Sequence, residues 1–369
     1  MDEKIAFHKG DFLSDEQAMK LAIQEAYKGA PFVSPNPLVG CVILNENNKF
    51  LCSGYHHKYG EPHAEVDAYR KLTEHELHNA QVFVTLEPCA HEGKTPSCAK
   101  ALAQMPLKRV VFGLEDPNPL VAGQGAQIIR TAGISCLEYD GELKADLEDT
   151  CEVFLKNFIE KKTFVAVKVA QSLDGQIALA NGESKWITSE GSREFVHELR
   201  AWYDGVIVGR NTIETDNPSL NVRHPQIQKE NFLIVIDPEG KILRSKKSYK
   251  FLDLHKKDKI IFALQKDVIT DYQTLKFTDL NDLLNQLWNL KIKSVFVEGG
   301  ARTYSSFLTA GLIDRLHVFT APVIIGSGEG LSWSKYFSIP ALAQKLVLKN
   351  VKHKTFSPDQ YLTGRLTRD

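Results

Sequence analysis

The chain has almost no excess charge: 45 Lys and Arg stand against 46 Asp and Glu, for a net charge of -1. A protein built to grip nucleic acid needs many uncompensated cations to displace counterions, so no nucleic-acid partner is expected. Long apolar runs are missing too, none approaching the ~20 residues needed to cross a bilayer. The opening residues MDEKIAFHKGDF lack both the basic start and the apolar middle of a signal peptide. These two absences predict a cytoplasmic protein with no membrane partner. Cysteine is scarce and one-sided: the six are Cys41, Cys52, Cys89, Cys98, Cys136 and Cys151, and none follows. A cytosolic chain of this size needs no disulfide framework, so cysteine crowded beside histidine points to a metal or catalytic site.

Hydrophobic content of 43% and charged content of 25% are those of an ordinary globular protein, and 369 residues leave room for two domains. From Ser14 the run SDEQAMKLAIQEAYKGA reads as a helix with a capping box, Ser14 and Gln17 being three apart. Apolar runs at 38 to 44, 81 to 86 and 109 to 114 read as strands, with helical stretches at about 64 to 78, 97 to 104 and 122 to 132. A second series follows Thr163, with FVAVKVAQSLDG, DGVIVG, NFLIVID, KIIFAL, SVFVEGG and LHVFTAPVIIG all strand-like. Strands alternating with helices predict an α/β fold in both halves. The expected division is a first domain over 1–150, a helical linker over 151–162 and a second domain over 163–369.

In the first half, PHAEVDAY is followed by TLEPCAHEGKTPSC. His63, Cys89 and Cys98 supply three ligands for a tetrahedral zinc and leave the fourth position for water, the pattern of a catalytic site. His63 and Cys98 both start helical patterns, where unpaired N–H groups favour a thiolate. Glu65, two residues from the ligand His, is placed to move protons without binding the metal, as in zinc deaminases that carry H-x-E with P-C-x-x-C. Here eight residues, not two, separate the cysteines. Cys41, Cys52, Cys136 and Cys151 read as core, and His56 and His57 as residues that either line the site or end a strand.

With SPNPLVGCVI, GYHHKYGEPHAEVDA and the lengthened loop P-C-x-H-x-G-x-T-P-x-C, this half resembles the pyrimidine deaminase part of the bifunctional riboflavin-biosynthesis deaminase/reductase family. The resemblance implies a cytidine-deaminase-like α/β/α domain. It places His91, Lys94 and Thr95 near the substrate and Asn36 on its base; a Lys suits the phosphate of a phosphoribosyl group.

The second half speaks less clearly through its residues alone. SVFVEGGARTYSSFL and PVIIGSGEG each put a Gly-rich turn after a strand, and the helix start in the first could cradle a phosphate. Neither has the G-x-G-x-x-G spacing of a dinucleotide fold. The order of VKVAQSLDGQIA, GESKWITS, RAWYDGVIVGRNTI, TDNPSLNVR and FVEGG is similar to the reductase half of the same family, which implies a dihydrofolate-reductase-like α/β domain. Carried over position by position, Ala170, Trp186, Thr212, Asp216 and the run Gly299, Gly300, Ala301, Arg302 and Thr303 would contact NADPH. Ser184, Arg200, Leu220, Arg223 and Glu298 would contact the substrate. Arg200 and Arg223 are guanidinium forks suited to a ribose phosphate, and Lys168 and Glu298 are candidates to supply the proton that reduction needs. Pro238 stands where members of the family often carry Ser.

The expected function is therefore a two-step enzyme of riboflavin biosynthesis that uses zinc to deaminate a phosphoribosylaminopyrimidine and NADPH to reduce its ribosyl group to ribityl. A homo-oligomer is implied by the resemblance. The rival readings are a zinc nucleobase deaminase with a non-catalytic C-terminal binding domain, and a structural zinc domain joined to a ligand-binding regulator.

Overall fold

Local chemistry sets the first helix. Ser14 and Gln17 form the reciprocal capping box, and α1 (Asp15–Tyr27) buries Ala18, Met19, Leu21, Ala22, Ile23 and Ala26 along one face. The computed structural model describes residues 6–92, 97–118, 122–328 and 330–368. The chain divides into two compact units between Glu160 and Lys161.

The first unit carries strands β1 (Gly40–Leu44), β2 (Phe50–Tyr55), β3 (Gln81–Leu86), β4 (Arg109–Leu114) and β5 (Ser135–Glu138). Among the described residues they form one sheet in the order β2-β1-β3-β4-β5, with β1 antiparallel to both neighbours and β3, β4 and β5 parallel. Its helices after α1 are α2 (Ala64–Tyr69), α3 (Glu74–Leu77), α4 (Cys98–Leu102), α5 (Gln124–Thr131) and α6 (Lys144–Glu160). One face of the sheet packs Ala64, Ala68, Leu102 and Ile129 from α2, α4 and α5; the other packs α1 with Leu147 and Cys151 of α6. The result is three layers, α/β/α.

Two expectations change. The single helix expected over 64 to 78 is two, because Thr73 and Glu76 make a capping box of their own and restart the helix. Residues 151–160 are not a linker but the second half of α6: Leu147 and Cys151 are buried and Phe154 and Leu155 half-buried at helical spacing, so a continuous stripe lies on the sheet.

The second unit contains β6 (Phe164–Ser172), β7 (Gln176–Leu179), β8 (Gly205–Gly209), β9 (Phe232–Ile236), β10 (Ile260–Leu264), β11 (Gln273–Lys276), β12 (Ser294–Val297), β13 (Arg315–Ala321), β14 (Gly330–Ser332), β15 (Leu346–Phe356) and β16 (Asp359–Arg368). Among the described residues, nine of them form a sheet ordered β11-β10-β9-β8-β12-β6-β13-β16-β15. It is parallel from β11 to β13 and antiparallel at the β16 and β15 end. The helices are α7 (Glu190–Trp202), α8 (Arg210–Asp216), α9 (Lys241–Arg244), α10 (Lys250–Leu254), α11 (Leu280–Asn289) and α12 (Ala301–Ala310). Val165, Val167, Val169, Val295 and Val297 pack on α11 and α12 through Leu283, Leu287, Phe307 and Leu308. Alternate residues of the same strands, including Lys168 and Ala170, therefore face the other way. The run PVIIG does not extend β13, because the N–H groups of Ile325 and Gly326 donate to the Asp174 carboxylate at 3.1 and 2.7 Å.

Helix α1 lies so close to β1 that a Cβ at Gly40 would fall on the Ala22 carbonyl oxygen and the Ala26 nitrogen. Gly40→Ala should therefore destabilise the first unit by about 1–3 kcal/mol. All four Trp residues lie in the second unit, so in urea the far-UV CD transition should move to lower denaturant while Trp fluorescence holds its midpoint. An unshifted CD curve would show that α1 yields at no cost.

Candidate active sites

The first site forms where β3 ends. His63 is the N-cap residue of α2 and does not cap it with its side chain; its Nδ1 instead meets the Cys98 sulfur at 3.3 Å and the Cys89 sulfur at 3.6 Å. Cys89 follows β3 and Cys98 begins α4, so three separate elements bring in three donors. One donor atom from each of His63, Cys89 and Cys98 lies within 4.8 Å of the others, the span of a metal's coordination shell.

The charge balance fits a cation. The Cys89 thiol is pulled down to about 4, chiefly by the Cys98 thiol and also by His63 and the Cys98 backbone N–H, which donates to its sulfur at 3.3 Å. Cys98 is pushed up by that neighbour and by burial. The N–H at the start of α4 thus points at the Cys89 sulfur, where it favours thiolate. A nitrogen and two sulfurs brought this close together are a zinc donor set, and both sulfurs would be thiolates once the metal is bound. Glu65, buried in the first turn of α2, touches the Cys98 thiol, and burial raises its carboxyl to about 7.

Around this centre, His56 is buried and links a backbone carbonyl to the Asn36 side chain. Its Nδ1 donates to the Pro62 carbonyl at 3.0 Å, leaving Nε2 to accept from the Asn36 amide at 3.1 Å. Asn36 is thereby brought to the His63 side of the sheet. His57 pairs with Asp67 at 3.2 Å on the surface and takes no part. His91 is exposed on the loop after Cys89, close enough to Asp116 to act on its charge. Lys94 and Thr95 lie outside the described residues. Sequence reasoning missed Glu87: its carboxylate accepts from the N–H groups of Asp116, Gly123 and Ala126 at 3.3, 3.0 and 3.0 Å. It fastens the start of α5 beside Cys89, and its place just before P-C was the available signal.

In the second unit a cavity of 1520 Å³ opens at the carboxyl ends of the parallel strands, where ligands bind in open α/β sheets. Lys168, Ala170, Ser184, Trp186, Arg200, Thr212, Asp216, Leu220, Arg223 and the run 298–303 all line it. Gly299 permits the wall to close, since a Cβ there would strike the Thr303 side chain at 2.6 Å. Trp186 is 71% exposed at the mouth, with the Arg193 guanidinium 4.6 Å over its ring. Ser184 reaches Asp216 at 3.5 Å, and burial raises the Asp216 carboxyl. Pro238 also lines the cavity, its carbonyl accepting from Gln265 and Lys266.

Arg200, expected as a substrate contact, lines the cavity while paired to Glu298. Its Nε and Nη2 donate to the two carboxylate oxygens of Glu298 at 2.6 and 3.0 Å, both residues being buried, and Nη1 donates to the Asn221 carbonyl at 2.6 Å. Burial would raise the Glu298 carboxyl, but Arg200 with Lys168 holds it below its usual value. Arg200 and Lys168 thus favour the carboxylate form of Glu298. Lys168 is the opposite case: burial lowers its ammonium, against the pull of Glu298. Both forks line the cavity, Arg200 buried against Glu298 and Arg223 exposed.

Two family models match the chain. Residues 13–114 match the cytidine and deoxycytidylate deaminase zinc-binding region, and residues 163–362 match the RibD C-terminal domain. The chain is similar to the riboflavin biosynthesis protein RibD of Aquifex aeolicus, 37% identical over 94% of this chain and 96% of that one. It is also similar to the RibD of Escherichia coli, at 33% over 92% and 97%. Among solved structures, a diaminohydroxyphosphoribosylaminopyrimidine deaminase/5-amino-6-(5-phosphoribosylamino)uracil reductase from Thermotoga maritima superposes with a TM-score of 0.81 at 34% identity, covering 96% of this chain and 99% of that one. Acinetobacter baumannii RibD gives the same TM-score and identity.

Cys98→Ala should lower bound zinc from about one per chain to near zero, since two donors are too few for a tetrahedral site. Metal analysis of the purified variant checks this. Full zinc content would place the metal elsewhere.

Proposed function

The chain belongs to the RibD family of bifunctional riboflavin-biosynthesis enzymes, deaminase and reductase in one chain, and we propose which of its residues carry each step. The substrate of the first step is diaminohydroxyphosphoribosylaminopyrimidine, and that of the second is 5-amino-6-(5-phosphoribosylamino)uracil, the two compounds that the Thermotoga relative is named for. The proposal places a homo-oligomer in the cytoplasm, in keeping with the family and with the absence, among the described residues, of any helix long and apolar enough to cross a membrane.

In the first step His63, Cys89 and Cys98 hold zinc. Zinc bound there supplies Lewis acidity that makes water nucleophilic at neutral pH. Glu65 takes a proton as water attacks the ring carbon and returns it to the departing amino group, which leaves as ammonia. A carboxyl raised by burial suits both halves of that exchange. Asn36, held by His56, orients the base, and Lys94, Thr95 and His91 on the lengthened loop complete the substrate contacts. The observation that carries the reading is Glu65: a structural zinc site gains nothing from a buried carboxylate that is not a ligand.

In the second step NADPH supplies hydride to C1′ of the ribose. Ala170, Trp186, Thr212, Asp216 and the run from Gly299 to Thr303 hold the cofactor, while Ser184, Leu220 and Arg223 hold the substrate. The ribose ring opens as hydride arrives, and its ring oxygen needs a proton to leave as a hydroxyl. Lys168 supplies it: its lowered pKa makes it a better acid than an exposed Lys. Glu298, fixed by Arg200, keeps that ammonium charged until it is used.

A two-stage assay tests both assignments. Ammonia should appear without NADPH, and NADPH oxidation should depend on that first step. Glu65→Gln should keep its zinc, lose ammonia release by roughly 10²–10⁴-fold, and still oxidise NADPH when given the deaminated compound. Wild-type ammonia release in this variant would sink the proton-shuttle role. Lys168→Met should lower kcat of NADPH oxidation by roughly 10²–10⁴-fold with ammonia release intact. A kcat that stays within experimental error would assign the proton to another group.

A further inference from the structure

His197 lines the reductase cavity one helical turn before Arg200 on α7. Its Nδ1 is faced by two N–H donors: Arg200 Nη1 at 2.9 Å and the backbone N of Arg223 at 3.1 Å. A nitrogen approached by two donors must present its lone pair, so a neutral ring carries its proton on Nε2. Burial and the two guanidinium groups hold the ring neutral, lowering it to about 4 against weaker opposition from Glu298 and the Asn221 carbonyl.

Nε2 lies 3.3 Å from Nη2 of Arg223. With the proton on Nε2, both atoms are donors, and neither can satisfy the other. Arg223 meanwhile keeps one anchor, donating from Nη1 to Asn221 Oδ1 at 2.9 Å. Two donors turned to the same place describe a seat for an oxygen that can accept twice. An oxygen of a phosphate group accepts from several donors at once, and its negative charge is favoured beside Arg223.

We propose that His197 is a phosphate-binding residue of the reductase site, its uncharged Nε2–H and the Nη2 of Arg223 converging on one oxygen of the substrate's ribose phosphate. The proposal rests on the reading that Arg223 faces that phosphate. The ring's other nitrogen does a second task, tying the Arg223 backbone to the Arg200 guanidinium and so to Glu298. His197 thus fixes both the position of the phosphate and its distance from the Lys168 end of the cavity.

His197→Asn keeps an acceptor near the Nδ1 position and removes the Nε2–H, whereas His197→Gln can return an amide N–H near Nε2. In steady-state NADPH oxidation, His197→Asn should raise KM for the phosphoribosyl substrate about tenfold or more, the loss of one hydrogen bond to a charged group. Inhibition by inorganic phosphate should weaken in parallel, KM for NADPH should stay as it is, and His197→Gln should recover most of the loss. An unchanged substrate KM in His197→Asn would overturn the proposal, as would a rise in KM for NADPH instead, which would assign the seat to a cofactor phosphate. Equal loss of kcat in both variants would make His197 a structural residue and overturn it as well. Arg223→Met separates the two readings: if it raises the substrate KM while His197→Asn does not, only the His197 proposal fails. If Arg223→Met leaves KM unchanged, the phosphate reading of Arg223 fails and His197 falls with it.

Discussion

The reductase cavity is organised by one buried ion pair. Arg200 and Glu298 lie 98 positions apart in the chain, one on α7 and the other just past β12, and each is almost wholly removed from water. A charge buried without its partner is expensive, about 3–5 kcal/mol when one member of such a pair is removed. Two parallel N–H···O bonds fix the guanidinium in a plane, and geometry follows from that plane. Nη1 is left pointing at the Asn221 carbonyl, which pins a loop where Leu220 adopts φ 56°, a backbone conformation unfavourable for a branched side chain. The same carboxylate, at the end of the neighbouring strand, opposes the burial that lowers the Lys168 ammonium. Loop and cation are both placed by one pair.

The deaminase site solves its charge problem the other way. There the fold assembles His63, Cys89 and Cys98 as donors that a metal ion between them would complete. The fold confines that reactivity: Cys41, Cys52, Cys136 and Cys151 are pushed up by burial and stay neutral thiols in the core. The first unit thus imports the charge that makes it reactive, whereas the second carries opposite charges of its own and imports only hydride.

How far the sequence revealed this depended on how local each signal was. His63 and Glu65 stand two apart, and the cysteines lie on a loop between a strand and a helix, so the zinc triad was legible from spacing and residue type. The buried parallel strands were legible as continuous apolar runs. Strand β2, FLCSGY, was not, since it is half-buried and shows no alternation; nor was the β15 and β16 hairpin, whose edge strand buries no residue and exposes Lys349, Val351, His353 and Thr355. The fate of Arg200 was illegible for a different reason. Its role depends on a carboxylate 98 residues away, and no pattern within α7 distinguishes a phosphate fork from an internal ion pair. His197 was hidden likewise, because its tautomer is set by donors from two distant segments.

In each unit, reactive groups gather where parallel strands end, and the reason is mechanical. A strand delivers its last residue with little positional freedom, because ladder hydrogen bonds fix the backbone up to that point, and the next residue inherits that precision while gaining a loop's freedom of direction. Glu87 and Cys89 follow β3, Asp116 follows β4, and Glu298 follows β12. Glu87 shows what this position can do without touching substrate: by accepting three backbone N–H groups it anchors the start of α5 beside Cys89. Glu298 uses the same kind of position to anchor a side chain, Arg200, instead of a helix. The two carboxylates are placed alike and differ in what they hold, which is why one stabilises the surroundings of a metal site and the other shapes a cavity for a phosphorylated substrate.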